Sequence, residues 1–170
     1  KLEIITGTAA LLAEECSRDG KKLTVQLKVD TGMGRLGIDP GEVGAFLRRM
    51  MDFKTLKVEG LTSHLSSADE TSVDFTTNQI AQFRKAIATG RSMGIDLPLN
   101  NLANSAGLIR YANSHFDMVR PGIMLYGGLP SPDLAASRLI WSRDAANCGL
   151  PRRTMSALEL RDKPAKVSIR

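Results

Sequence analysis

The sequence predicts an α/β fold with a parallel sheet, most economically a half barrel. Three observations predict it. Short apolar segments alternate with helical patterns in the manner of successive βα units. Four candidate strands each end at a cluster of polar or glycine residues: 28–35, 64–69, 101–105 and 120–128. In parallel α/β folds the ligand site lies at the carboxyl ends of the strands, so the four clusters could face one pocket.

The elements follow in order. Leu2 to Thr6 reads as structure, Ala9 to Cys16 as helix, and the Asp19-Gly20 pair breaks it. Leu23 to Val29 is the first clear strand, with Val25, Leu27 and Val29 on one face and Thr24, Gln26 and Lys28 on the other. Asp39 then offers an N-cap, Pro40 a first turn and Glu42 an acidic residue three places on. The helix that follows sets Val43, Phe46, Leu47, Met50 and Met51 on one stripe, which reads as core packing for both methionines. Lys57 to His64 is the next strand, followed by a polar loop and a helix carrying Ile80, Phe83 and Ile87. Leu97 to Ala103 and Phe116 to Arg120 complete the four, and Pro121 stops regular pairing. From Leu129 the βα rhythm fails. Residues 129–153 read as linker or loop with one short helix, and 154–170 as the first strand of a separate, truncated β domain.

Composition excludes several classes. The 170 residues are 42% hydrophobic and 24% charged, a balance that suits a soluble globular domain with an ample core. No run of about 18 apolar residues occurs, which argues against a membrane span. The net charge of +5 is uneven: residues 1–150 hold 17 Lys and Arg against 16 Asp and Glu, whereas the last twenty hold 6 against 2. Basicity confined to a tail, with few aromatic side chains, argues against a nucleic-acid partner. Cys16 and Cys148 sit in no metal-ligand spacing, so neither a metal site nor a disulfide framework is indicated, and a reducing cytoplasm fits best. The chain starts at Lys1 with no leader-like pattern, which suggests a piece of a longer protein.

Four motifs stand in register: residues 28–37 (KVDTGMGRLG), 63–70 (SHLSSADE), 103–107 (ANSAG) and 119–127 (VRPGIMLYG). Together they resemble the ordered motifs of the alanine racemase family, over roughly residues 1–128. The resemblance implies the second half of a TIM-type (β/α)8 barrel that binds pyridoxal 5'-phosphate (PLP), with the start of a C-terminal β domain. It also implies interconversion of L- and D-alanine for peptidoglycan synthesis, and a homodimer when full length. A related serine or broad-specificity amino-acid racemase is the alternative within enzymes. An inactive PLP-binding fragment, or a free-standing phosphate-binding module, is the alternative outside them.

The resemblance assigns roles residue by residue. Lys28 stands beside the loop of Arg35, where two cations repel, and a family lysine at this place is often carbamylated, becoming an anion that pairs with the arginine. Arg35 then binds the substrate carboxylate; the competing reading is a snorkelling lysine and a surface arginine. His64 packs against the cofactor ring, against the plainer reading of a satisfied structural histidine. Asn104, Ser105, Gly122 and Ile123 form the phosphate cradle, although the glycine also suits a tight turn after Pro121. Arg120 meets the pyridine nitrogen and leaves it largely unprotonated, which weakens the ring as an electron sink and favours racemisation over transamination. Its competing reading is a salt bridge to Asp117. His115 matches no motif and receives no role.

Two departures accompany the match. Asn101 stands where the family usually has a histidine that helps orient the arginine, and an amide can hydrogen-bond but carries no charge. The Schiff-base lysine and the tyrosine base of the family lie outside this chain: no lysine here has the right context, and Tyr111 and Tyr126 fall in the barrel half. No catalytic base is therefore assigned, and the chain by itself is expected to be inactive.

Overall fold

The computed structural model describes residues 2–134. Residues 135–170, and with them most of the linker and the whole β-domain expectation, lie outside the described residues.

Helix α1 (Leu2–Arg18) runs through both segments that the sequence separates, because a single interior glycine costs a helix only about 1 kcal/mol. It ends at Gly20, whose φ of +63° turns the chain. Strand β1 (Leu23–Lys28) pairs in parallel with β2 (Leu56–Thr62), from Leu23 opposite Leu56 to Lys28 opposite Thr62, with an irregularity between Val25 and Gln26. Between them Asp39 caps a 3-10 turn (Pro40–Glu42), its carboxylate accepting from Gly41 N at 2.7 Å, and α2 (Val43–Met50) follows. Val43, Phe46, Leu47 and Met50 are buried as the stripe requires. Met51 is not: it is 54% exposed, because the helix has ended and Met51 is its C-cap.

Helix α3 (Asp74–Ser92) buries Ile80, Phe83 and Ile87 against this layer. The next segment, Leu97 to Ala103, runs beside β2 but makes only one isolated parallel bridge, Thr62 to Asn101, instead of the expected strand. Two local causes are visible. Pro98 has no N–H to donate, and the Asn100 side chain takes the Leu61 N–H at 3.0 Å where a backbone carbonyl would serve in a regular ladder. The fourth segment is likewise reduced to one bridge, Asn101 to Met118. Asp117 N and Met118 N both donate to Asn100 O, and Phe116 holds a φ of +48° that breaks the extended backbone. Short helices α4 (Ser105–Arg110) and α5 (Gly122–Leu125) follow these two segments. The architecture is thus α/β, with the carboxyl ends of all four parallel segments on one side.

Candidate functional site

The segment ends carry the motifs into one place. After β1, the backbone folds back on itself: Asp30 N donates to Ile38 O at 2.8 Å and Ile38 N to Lys28 O at 2.9 Å. Asp30 Oδ1 accepts from Gly32 N and Gly34 N at 3.1 and 3.0 Å, which fixes the loop bearing Arg35. Glycine is required at 37, where φ is +120° and a Cβ would stand 2.7 Å from Asp30 N. Arg35 itself is exposed.

The loop after β2 carries His64 and is stitched to its neighbours by Gln79, a fully buried residue of α3. Gln79 Nε2 donates to His64 O at 3.1 Å and to Thr31 Oγ1 at 3.4 Å, while Oε1 accepts from Ser66 N and Oγ at 3.0 and 3.2 Å. All four hydrogen-bonding positions of the amide are used. Thr31 also reaches Ser63, Oγ1 to Oγ, at 2.8 Å.

Lys28, Arg35, His64 and Arg120 form one basic cluster. Burial, then the Arg120 and Arg35 guanidinium groups, lower the Lys28 amine to about 8, with Asp30 opposing. Burial, then Arg120, Lys28 and Arg35, likewise hold the His64 imidazole below its ordinary value and keep it neutral at pH 7. Burial lowers Arg120 from its ordinary value as well. The Arg120 guanidinium is held from one side: Nη1 donates to Thr62 Oγ1 at 3.0 Å and Nη2 to Ser63 O. Its Nε is buried and has no hydrogen-bond partner among the described residues. The alternative partner, Asp117, is engaged elsewhere, its Oδ2 accepting from Asn100 N and Nδ2 at 2.9 and 2.8 Å.

Ser105 is buried, and its Oγ accepts from Met124 N at 3.3 Å, joining the starts of α4 and α5. The Asn104 side chain is spent on structure: Oδ1 caps α4 at Gly107 N, 2.9 Å, and Nδ2 donates to Leu65 O, 3.0 Å. Gly122 and Ile123 open α5 and are exposed. His115 is a satisfied structural histidine, with Nε2 3.1 Å from Leu108 O. Sequence reasoning missed Gln79, Thr62 and the Asn100–Asp117 pair. Only the polar character of residues 79 and 100 within otherwise apolar patterns hinted at them.

The α/β fold thus gathers four basic side chains at the carboxyl ends of its parallel segments, an arrangement able to receive anionic groups. The sequence model for the N-terminal domain of alanine racemase matches residues 6–130, and the chain belongs to the alanine racemase family. It is 46% identical over 111 residues to the alanine racemase of Syntrophobacter fumaroxidans, covering 65% of this chain and 29% of that protein. Against the alanine racemase of Symbiobacterium thermophilum it is 39% identical over 128 residues, 73% of this chain and 34% of the other. The structure of alanine racemase from Clostridium difficile 630 superposes with a TM-score of 0.72 at 29% identity, covering 75% of this chain and 34% of that one. The enzyme from D-cycloserine producing Streptomyces lavendulae gives 0.70 at 31% identity, with 78% and 36% covered. The matched residues thus span about a third of the length of these relatives.

The residues present fit PLP. An unpaired, buried Arg120 N–H suits a ring nitrogen that accepts a hydrogen bond, and a neutral His64 suits an aromatic ring face. The Ser105 hydroxyl between two helix starts suits a phosphate.

Proposed function

We propose that the complete gene product carrying these residues is a PLP-dependent alanine racemase that interconverts L- and D-alanine in the cytoplasm for peptidoglycan synthesis. It acts as a homodimer. The described residues contribute the second half of a TIM-type (β/α)8 barrel, and residues 154–170 begin a C-terminal β domain after a linker at 129–153. The observation that carries this reading is the convergence of Arg120, with its unpaired Nε, on the same strand-end site as Lys28, Arg35 and His64.

PLP, when bound, supplies the electron sink that makes the Cα proton of alanine removable. The chain's own residues do the rest of the work assigned to this half. Ser105, Gly122, Ile123 and the backbone at Asn104 hold the phosphate. His64 packs against the ring without adding charge. Arg120 would meet the pyridine nitrogen through its free Nε and, as a guanidinium that keeps its own proton, would leave that nitrogen unprotonated and the ring a weaker sink. That suits return of a proton to the same carbon. Arg35 binds the substrate carboxylate. Lys28, with its amine lowered to about 8, has an uncharged fraction at neutral pH whose nitrogen can bond to the carbon of carbon dioxide and release its proton to water. The resulting carbamate is an anion that steadies Arg35.

The test is an alanine interconversion assay on the complete gene product with PLP, run beside a serine panel. L- to D-alanine turnover that falls at least a hundredfold in Arg35→Ala supports the reading. Cofactor binding without turnover of alanine contradicts it. Carbon-13 NMR with labelled bicarbonate should show a carbamate resonance that Lys28→Met abolishes.

A further inference from the structure

Among the described residues, Arg120 is held by uncharged acceptors alone. Its Nη1 donates to Thr62 Oγ1 at 3.0 Å, and a hydroxyl that accepts there still has its own hydrogen to give. Thr62 gives it to Asn101 Oδ1, at 2.7 Å. That contact fixes the orientation of the amide, since Oδ1 must face Thr62 and Nδ2 must face away. Nδ2 donates to Gln26 Oε1 at 2.9 Å. The chain of donors therefore runs Arg120 to Thr62 to Asn101 to Gln26 and takes one residue from each of the four parallel segments.

The direction of these bonds matters. Every link starts from a donor and ends on an oxygen, so the guanidinium meets only acceptors here, and Thr62, Asn101 and Gln26 carry no charge. A second bond, from Nη2 to Ser63 O, pins the other arm of the guanidinium. With one N–H of each Nη engaged by Thr62 and Ser63, Nε is the one guanidinium nitrogen that is buried and without a partner among the described residues. Asn101 is fully buried, so its amide cannot exchange these partners for water.

Resting on the reading that Arg120 meets the PLP ring, we propose that Thr62, Asn101 and Gln26 are positioning residues. They form a neutral, one-directional relay that presents Arg120 Nε to the cofactor, a task for which no titratable side chain is needed.

The experiment uses the complete gene product, with and without PLP. Thr62→Val removes the hydroxyl at nearly constant volume, Thr62→Ser restores it, and Asn101→Leu removes the far acceptor. Should Asn101→Leu fail to fold, Asn101→Asp retains the acceptor toward Thr62 but opposes an oxygen to Gln26 Oε1. PLP affinity is read by titration of the ligand-free protein, the ring environment by cofactor absorbance, and Arg120 by the nitrogen-15 signals of its guanidinium without ligand. Thr62→Val and Asn101→Leu, or Asn101→Asp in its place, are expected to bind PLP about tenfold more weakly, the scale of one hydrogen bond to a charged group. Their cofactor absorbance should shift, and the separate Nη signals of Arg120 should merge as the group rotates freely. Thr62→Ser should restore all three. A loss of thermal stability alone, with native absorbance and native Arg120 signals in Thr62→Val, would overturn the relay. If the native protein fails to bind PLP, the racemase reading falls, and the ligand-free Arg120 signals still decide the relay.

Discussion

Lys28 sits where two guanidinium groups and partial burial disfavour its charge, and the consequence is visible in linkage. Its folded value of about 8 lies below the ordinary lysine value near 10.4, so between those limits the unfolded chain binds more protons than the folded one. Stability gained from this group is therefore absent below about pH 8 and rises with pH toward 10.4. Denaturant unfolding of the unmodified protein at several pH values should show that rise, and Lys28→Met should flatten it. The sequence places Lys28 beside Arg35, because both belong to one motif. It does not reveal that Arg120 outweighs Arg35, since that neighbour arrives from the far end of the sheet. For the same reason Asn101 looks like a simple loss of a charged partner in the sequence, whereas its amide is fully engaged with Thr62 and Gln26.

At the scale of elements, α3 does more than cover the sheet. Through Gln79 it ties the Thr31 loop to the His64 loop, so both halves of the basic cluster depend on one buried amide. Gln79→Leu leaves the His64 carbonyl and the two Ser66 donors without this partner and should lower stability by about 2 kcal/mol or more, measured by denaturant titration. Gly60 has a different kind of necessity. A Cβ there would stand 1.8 Å from Leu99 O, so Gly60→Ala should prevent the third segment from docking and leave little soluble protein. Hydrophobic periodicity made the helices legible, as the buried stripes of α2 and α3 testify. It could not show where α2 stops, which left Met51 in the solvent. Nor could it show Asn100 replacing backbone in the ladder, because an apolar run reads as strand whatever its side chains do to neighbouring N–H groups.

Across the whole molecule, the described residues carry a two-stranded sheet, β1 and β2, extended by two bridged segments. Sheet edges left unpaired invite association. The chain expressed by itself should therefore be marginally stable and self-associate, seen as growing species in sedimentation velocity as concentration rises. The motifs at the strand ends were legible because each is short and local. Their convergence required the fold: Arg120, Thr62 and Asn101 come from three segments and meet only when these lie parallel.

The proposed function stands or falls on whether this face holds PLP through Arg120 and Ser105. The most direct measurement is a PLP titration of the complete, ligand-free gene product, followed by fluorescence, for the native protein and for Arg120→Ala and Ser105→Ala. Saturable binding of one PLP per chain is expected, weakened about tenfold or more in each variant. Absence of saturable binding, or binding that neither substitution changes, would contradict it.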